Sequence, residues 1–263
     1  MILFTGTGAI SSTFAKLYPC KIVSARFLDD TKLESFIASS KTIIHNAASI
    51  SSQSLSTYVN SNFTLTKRIL DIAYNVNPNI RFINLSSMSI LRTANTYLNT
   101  TKMTDYALSK YFAEIYCFSH PIKRLTNVRF STIFYKDPQR DGLSKLAYDA
   151  VVKKKITIFN NGESLRDFIP IDIVVKYLHK LSEKENLPRK INIVSGMSFS
   201  FRYFVDKLLI NIPNIEIEDV PSQLKNVLHN FDKYGINYLG EIDFDIDFEF
   251  INYLNSIYAS IDL

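Results

Sequence analysis

Residues 1–11 read Met1-Ile2-Leu3-Phe4-Thr5-Gly6-Thr7-Gly8-Ala9-Ile10-Ser11. The first five residues are apolar or favour β structure, and they predict a short buried strand. Two glycines follow at once, and the pattern from Ala9 to Leu17 predicts a helix. Strand, glycine turn and helix in this order form the context in which a glycine-rich pattern indicates dinucleotide binding.

The two glycines have a physical role in such a turn. Gly6 and Gly8 allow a tight turn and let backbone N–H groups approach a diphosphate at the helix N-terminus. Ser11 occupies the place of a third glycine, and its Cβ would lie where helix and strand pack closely. From this stretch alone, a plain strand-to-helix turn remains the alternative.

The rest of the chain alternates strand-like apolar runs with helical patterns. This alternation predicts an α/β fold of the Rossmann type, a doubly wound parallel sheet whose ligands bind at the carboxyl ends of the strands. The predicted strands are 1–5, 21–25, 42–45, 80–85, 125–130 and 190–194, and the predicted helices are 9–17, 30–38, 57–75, 104–119, 142–153, 172–184 and 200–210.

Two other ranges carry more turn signals and a less regular pattern. We therefore expect a main sheet domain from residues 1–135 and about 167–195. About 136–166 and 196–263 are expected to form a smaller lobe over the sheet. Within that lobe, residues 241–246 predict an extended piece that enters a terminal helix.

Composition narrows the class of protein. The 263 residues are 46% hydrophobic, but no apolar run approaches the ~18 residues of a membrane helix, and no secretory signal is recognisable. Cys20 and Cys117 have no metal-ligand spacing, so we expect a cytoplasmic protein without a metal site. The net charge is +5, and the sequence contains one tight basic cluster, Lys153-Lys154-Lys155. No nucleic-acid motif accompanies this cluster. A small phosphate-bearing molecule is a better partner than nucleic acid.

A candidate proton-transfer pair lies in the helix predicted at 104–119. Tyr106 and Lys110 are four residues apart, so both side chains fall on one helix face. A nearby ammonium should lower the pKa of the phenol, which could then exchange a proton with an alcohol or carbonyl oxygen. The alternative is a half-buried tyrosine beside a solvated lysine.

These features together resemble the extended short-chain dehydrogenase/reductases, the nucleotide-sugar epimerase, dehydratase and reductase group. The resemblance runs from Met1 to about Gly240. The matching segments, in chain order, are Thr5–Ser11, Ile43-Ile44-His45-Asn46-Ala47-Ala48, Tyr58–Thr64 with Asn62, Phe82-Ile83-Asn84-Leu85-Ser86-Ser87, Tyr106 and Lys110 with Ser109 and Glu114, Asn161–Asp172 with Arg166, and Asn192-Ile193-Val194-Ser195-Gly196.

The resemblance implies that the main domain binds NAD(P) and that the small lobe binds the substrate. It also implies a set of site residues. Ser87, Tyr106 and Lys110 would be catalytic. The substrate would contact Ser87, Ser89, Thr132 and Arg166, although Arg166 could instead pair with Asp167. The cofactor would contact Gly6, Thr7, Gly8, Ala9, Ile10, Ser11, Arg26, Ala47, Ala48, Asn62, Tyr106 and Lys110.

Three departures from the family pattern narrow the choice among the reactions and cofactors of the family. Family 4,6-dehydratases carry an Asp-Glu pair after the serine strand, whereas Ser87 is followed by Met88-Ser89-Ile90-Leu91. Arg26 occupies the place of the acid that would bind an NAD ribose, which favours NADP(H) but leaves NAD(H) and a plain surface arginine open. The chain is also shorter than we expect of a sugar 4-epimerase.

The resulting hypothesis is an NADPH-dependent reductase of a nucleotide-linked 4-keto-6-deoxysugar, in the synthesis of surface-polysaccharide precursors. A nucleotide-sugar epimerase with tightly bound NAD is the alternative, and a non-catalytic NAD(P)-binding scaffold or sensor is a further one. The resemblance also implies a homodimer that pairs helices 57–75 and 104–119.

Overall fold

A computed structural model describes residues 1–51, 54–91, 103–222 and 238–261. Its strands agree with all six predicted strands and add five short ones. In chain order they are β1 (Ile2–Phe4), β2 (Lys21–Ile22), β3 (Thr42–His45), β4 (Arg81–Ser87), β5 (Leu125–Phe130), β6 (Thr132–Phe134), β7 (Lys155–Phe159), β8 (Leu165–Pro170), β9 (Lys190–Ile193), β10 (Ser198–Ser200) and β11 (Glu216–Val220).

Helices fill the connections where the sequence predicts them. Several begin at a side chain that caps the helix, such as Asp29, which accepts a hydrogen bond from the N–H of Lys32 at 2.8 Å. They are α1 (Ala9–Leu17), α2 (Asp30–Ala38), α3 (Leu55–Tyr58), α4 (Leu65–Val76), α5 (Asp105–Ser119), α6 (Gly142–Tyr148), α7 (Ile171–Glu183), α8 (Phe201–Asn211) and α9 (Ile246–Ile261), with π-helical turns at Val59–Thr64 and Asp149–Lys153.

The central sheet has six parallel strands in the order β2-β1-β3-β4-β5-β9. This is the Rossmann-type doubly wound α/β fold that the sequence predicts. The chain leaves β1 toward β2 and then crosses to β3 on the other side of β1. The order of strands therefore reverses beside the glycine turn, which is where such sheets bind ligands.

Helices cover both faces of this sheet. Phe14 of α1 and Val174 and Leu178 of α7 pack on one face, whereas Leu33 of α2 and Ile69 of α4 pack on the other. Since neither face meets water, strands β3, β4 and β5 are buried along almost their whole length, including polar residues such as Asn84 and Asn127.

A third core lies beside the sheet. Strands β10, β8 and β6 form one small sheet and β11 pairs with β7 in another. Phe204 of α8 and Phe250 of α9 pack within this core with ring centroids 4.9 Å apart. The extended piece expected at 241–246 leads into α9, and its Ile242 N–H donates to the Tyr177 hydroxyl at 3.0 Å. Within the described ranges, no helix is long and apolar enough to span a bilayer.

Candidate active site

The glycine turn is held against the end of β3. The amide of Asn46 accepts from the Gly6 N–H at 2.8 Å and donates to the Gly6 carbonyl at 2.9 Å. A Cβ added at Gly6 would lie 2.8 Å from Cα of Ala47, closer than real contacts allow. Gly6 is therefore required by backbone packing against the Ala47 that the sequence also singles out.

Gly8 has a different environment. A Cβ added there would meet no protein atom within 4 Å, and Gly8 begins α1 without a side-chain cap. A cavity of about 270 Å³ opens at this helix end. Uncapped N–H groups and the positive end of the helix dipole suit a phosphate, so the turn fits the diphosphate of a dinucleotide. The cavity is lined by Thr7, Gly8, Ala9, Ser12, Thr13, Tyr135, Asp137, Arg140 and Ile171.

Ser11 replaces the third glycine without opening the turn. Its side chain is fully buried, and its hydroxyl lies 2.7 Å from the Gly6 carbonyl and 2.8 Å from the Gly8 carbonyl. The hydroxyl thus adds a hydrogen-bond donor inside the turn, beside the Asn46 amide that donates to the Gly6 carbonyl and the Ser12 N–H that donates to the Gly8 carbonyl.

The remaining cofactor candidates lie around the same edge of the sheet. Arg26 is exposed in a short 3₁₀ turn, Ala25–Phe27, which begins three residues after the end of β2. Ala47 and Ala48 follow β3, with Ala47 buried beneath the glycine turn. Ile10 packs against the core on the side of α1 and α7.

The catalytic candidates meet at the carboxyl end of β4. Ser87 is the last residue of that strand, and its side chain lies close enough to the Tyr106 phenol from α5 to lower the pKa of that phenol. One helical turn further along α5, the buried Lys110 donates from Nζ to the carbonyl of Leu85 at 2.8 Å. The structure thus brings Ser87, Tyr106 and Lys110 together.

The expectation that Lys110 lowers the pKa of Tyr106 is wrong for this structure. Burial raises the pKa of the Tyr106 phenol to about 12, and the nearby Ser87 side chain opposes this rise. Burial also lowers the pKa of Lys110 to about 8, because its charge is poorly solvated. The ammonium is directed at the Leu85 carbonyl, so desolvation determines the protonation of both groups.

A buried ion pair lies beneath Lys110. Arg129 of β5 contacts both carboxylate oxygens of Glu114, with a 2.8 Å bond from Nε to Oε1, and both side chains are almost wholly buried. The negative charge of Glu114 raises the pKa of Lys110 against the larger effect of burial. Glu114 therefore helps Lys110 to keep its proton.

Asn62 links the segment after β3 to α5 through hydrogen bonds of its side chain. It lies fully buried in the π-helical turn, and its amide donates to the Ser49 carbonyl at 3.1 Å and to the Ser109 hydroxyl at 3.0 Å. Its carbonyl oxygen accepts from the Ser49 N–H at 2.7 Å. Ser109 in turn donates to the Tyr106 carbonyl at 2.7 Å, so Asn62 positions the helix that carries Tyr106.

The substrate candidates lie on two neighbouring parts of the site. Ser89 follows β4 in the 3₁₀ turn Met88–Leu91, and its buried hydroxyl has no partner among the described residues. Thr132 begins β6, and Arg166 lies on β8 opposite Phe199 of β10. The alternative that Arg166 pairs with Asp167 is not what the structure shows. The Asp167 carboxylate instead accepts the N–H groups of Ser195 at 2.9 Å and Gly196 at 2.7 Å.

Three residues near the site did not emerge from the sequence. Tyr135 lies close enough to Tyr106 for the two phenols to influence each other, and with Arg140 it lines the cavity beside Gly8. His45, at the end of β3, is buried with Thr5 at 2.7 Å from Nδ1 and Thr66 at 2.8 Å from Nε2. Burial lowers the pKa of His45 to about 3, so the ring is neutral. The available signal was position for two of them, since His45 ends β3 and Tyr135 directly follows β6, whereas Arg140 lies further along the connection to α6.

Solved structures share this fold at low sequence identity. TunA, an NAD dependent NDP-hexosamine 5,6-dehydratase involved in tunicamycin biosynthesis, aligns with a TM-score of 0.83 and 18% identity over 98% of this chain and 97% of its own. UDP-glucose 4-epimerase from Thermotoga maritima, solved with UDP-glucose, gives 0.80 and 16% over 99% of each chain. RMD from Pseudomonas aeruginosa, complexed with NADPH, gives 0.81 and 15% over 98% and 99%.

A search of curated protein sequences found no significant match. The family model for the NAD dependent epimerase/dehydratase family matches residues 5–194, well over half of the chain. This match spans the glycine turn, the Ser87 strand, and Tyr106 and Lys110, which the structure has just placed around one edge of the sheet. The chain therefore belongs to the NAD dependent epimerase/dehydratase family, a family of NAD(P)-dependent enzymes within the extended short-chain dehydrogenase/reductases.

Proposed function

We propose that this chain is an NADPH-dependent reductase of a nucleotide-linked 4-keto-6-deoxysugar, acting in surface-polysaccharide precursor synthesis. The observation that carries the proposal is the pair of half-buried side chains of Tyr106 and Ser87, which lie close enough for Ser87 to influence the pKa of the phenol. With a pKa raised to about 12, the Tyr106 phenol keeps its proton at neutral pH. A ketone reductase needs such a donor, because the carbonyl oxygen must gain a proton as the carbon gains hydride.

The roles of the side chains follow from this arrangement. The cofactor, when bound, supplies the hydride. Tyr106 donates its phenolic proton to the substrate oxygen, and Ser87 donates a hydrogen bond to the same oxygen and stabilises its developing charge. Lys110, whose pKa lies near 8, sits one turn behind Tyr106 and supports reprotonation of the phenol.

The preference for NADP(H) rests on Arg26 and on its surroundings. Arg26 is exposed after β2 and forms no ion pair within the described part of the chain. The two acids that follow are engaged elsewhere: Asp29 caps α2, and Asp30 pairs with Arg68 at 2.6 Å. A free guanidinium with no competing carboxylate suits the 2′-phosphate of NADP(H).

The proposed substrate is a nucleoside-diphosphate sugar. Its diphosphate would bind Arg166 of β8, while Ser89 and Thr132 would contact the sugar beside Ser87. The Ser89 hydroxyl supports this assignment, because it is buried without a partner among the residues that the structure describes, and such an atom is costly unless a ligand supplies one.

Epimerase and dehydratase activities are the competing reactions. The turn after Ser87 contains no acidic residue, which counts against elimination of water. Chain length, in contrast, does not favour the reductase, because the match extends over 99% of the chain of a UDP-glucose 4-epimerase. An epimerase, which retains NAD and recycles it within one turnover, is therefore the alternative that the experiments must separate from the reductase.

The first test is the cofactor. Absorbance of the purified protein, followed by titrations with NADPH and NADH, should show no retained NAD and tighter binding of NADPH, and Arg26→Asp should weaken NADPH selectively. If NAD is retained and is released only when the protein unfolds, the epimerase becomes the favoured function in place of the reductase. Binding of neither cofactor would favour the scaffold.

The second test is turnover. On 4-keto-6-deoxy nucleotide sugars, Tyr106→Phe should lower the rate about 10²-fold or more while NADPH binding persists. Equal turnover of wild type and variant would remove Tyr106 as proton donor.

We further propose that the protein is a homodimer that pairs α5 and the neighbouring helix α4 across a two-fold axis. Three large apolar side chains support this proposal, since 36–48% of each is exposed on α5. They are Phe112, Ile115 and Phe118.

A further inference from the structure

The cavity beside Gly8 has a second wall that comes from the connection between β6 and α6. Tyr135, Asp137 and Arg140 form this wall and line the cavity together with the glycine turn and the start of α1. Arg140 is the positively charged residue among those that line the cavity. Nothing in the sequence motifs assigns it a role.

This wall is built around two aspartates. The Asp137 carboxylate accepts the Gln139 N–H at 3.0 Å and the Arg140 Nε–H at 2.9 Å, and the Arg140 N–H closes the turn onto the Asp137 carbonyl at 3.0 Å. Asp141 accepts the Tyr135 N–H at 2.8 Å and caps α6 through the Ser144 N–H. The guanidinium is thus held at the cavity by a braced turn.

The geometry leaves the outer nitrogens of Arg140 available. Only Nε is used in the ion pair with Asp137, and the two Nη groups have no hydrogen-bond partner within the described ranges. Guanidinium N–H groups bind phosphate oxygens in pairs. Asp137 would repel an anion, so the favourable approach is from the Nη side, away from the carboxylate.

We propose that Arg140 binds the diphosphate of the dinucleotide from the side opposite Gly8, so that the anion lies between a guanidinium and the positive end of α1. A diphosphate carries more charge than one helix N-terminus neutralises, and Arg140 supplies the second positive group. The inference requires only the dinucleotide of the family and holds for NAD(H) and NADP(H) alike. It is independent of the reductase assignment.

The test is calorimetric titration of the full chain with ADP-ribose, which contains the cofactor's diphosphate but no nicotinamide. Arg140→Gln should weaken the binding of ADP-ribose about 10- to 100-fold, which is the range expected for the loss of a charged hydrogen bond. Arg140→Lys should lose less of this affinity. Arg202→Gln is the matched control, because the Arg202 side chain is 40% exposed and paired with Asp206, as Arg140 is 43% exposed and paired with Asp137. Arg202 does not line the cavity, so its variant should bind as wild type does.

UDP is titrated in parallel to separate the cofactor's diphosphate from that of a nucleotide sugar. Arg140→Gln should leave UDP binding unchanged. Loss of UDP binding with ADP-ribose unaffected would assign Arg140 to the substrate and overturn the proposal. Unchanged ADP-ribose affinity in a folded Arg140→Gln protein would also overturn it, as would failure of the wild-type chain to bind ADP-ribose. Screening failures with keto sugars have no bearing on these titrations.

Discussion

Two glycines of one turn are required for opposite reasons. Gly6 has the backbone of Ala47 where its side chain would be, whereas the space beside Gly8 is open to the cavity. One glycine serves the packing of the protein and the other serves the ligand. The distinction is invisible in the pattern of residues and follows from the neighbours of each Cα.

Alanine at each glycine should separate these roles. Gly6→Ala should lower the free energy of unfolding by about 1–3 kcal/mol, because the methyl overlaps immobile backbone. Gly8→Ala should leave stability within about 0.5 kcal/mol, since φ is −84° and no atom is near. The same variant should nevertheless weaken the binding of ADP-ribose about tenfold or more, because one methyl group added to a complementary binding site costs about 1–3 kcal/mol. Urea unfolding and calorimetry measure the two effects; equal losses of stability would contradict the distinction.

The buried Lys110 predicts a pH dependence of stability. Its pKa is about 8 in the folded protein and 10.5 in the unfolded chain. Between these two pH values the lysine is protonated in the unfolded chain but not in the folded protein. The free energy of unfolding of the wild type therefore increases as the pH rises. Lys110→Met should therefore be more stable than wild type at pH 7, and the difference should shrink toward pH 10. Urea titrations from pH 7 to 10 check this; a constant difference would mean that Lys110 does not titrate in this range.

At the scale of elements, α5 is attached to the sheet by charge. The pair of Glu114 and Arg129 joins this helix to β5 without contact with water. Removing one partner of a buried pair leaves the other charge unsolvated, and this costs more than the pair itself stabilises.

Glu114→Ala should accordingly lower the free energy of unfolding by about 3–5 kcal/mol. Asp206→Ala, which breaks the exposed pair with Arg202 on α8, should lower it by less than about 1 kcal/mol. Chemical denaturation of both variants gives the comparison. Similar small losses in both would show that α5 is held by apolar packing alone.

At the scale of the whole molecule, the exposed side chains of α5 predict the assembly. Ile115→Asp should convert the proposed homodimer into a monomer, because a carboxylate would be buried in an apolar interface. Ile210→Asp is the control, since Ile210 is 84% exposed on α8, away from that face. Light scattering after gel filtration measures the mass of each. A wild-type monomer, or a dimer that survives Ile115→Asp, would place the interface elsewhere or remove it.

Much of this architecture could be predicted from residue patterns. The helices at 9–17 and 30–38 and the strand at 42–45 agree with α1, α2 and β3 to the residue, because local apolar periodicity and caps such as Asp29 act within one element. The meeting of Ser87, Tyr106 and Lys110 was predictable only through the resemblance to a family.

The pKa of Tyr106 was not predictable from its spacing to Lys110. Spacing along a helix determines direction, but protonation depends on burial, which elements from distant parts of the chain produce. The same is true of Arg140. Its pattern is that of a surface arginine, and its place at the cavity depends on how the connection after β6 lies over the start of α1.

The sequence by itself indicated the alternation of the main strands and helices and the glycine turn, since these depend on side-chain type and spacing within single elements. The class of cofactor chemistry followed from the resemblance to a family. Tertiary structure decided which glycine faces the ligand, which charges lose their water and which side chains from separate connections share the cavity. The physical reason is that desolvation and close packing act between residues far apart in the chain, and local pattern carries no information about them.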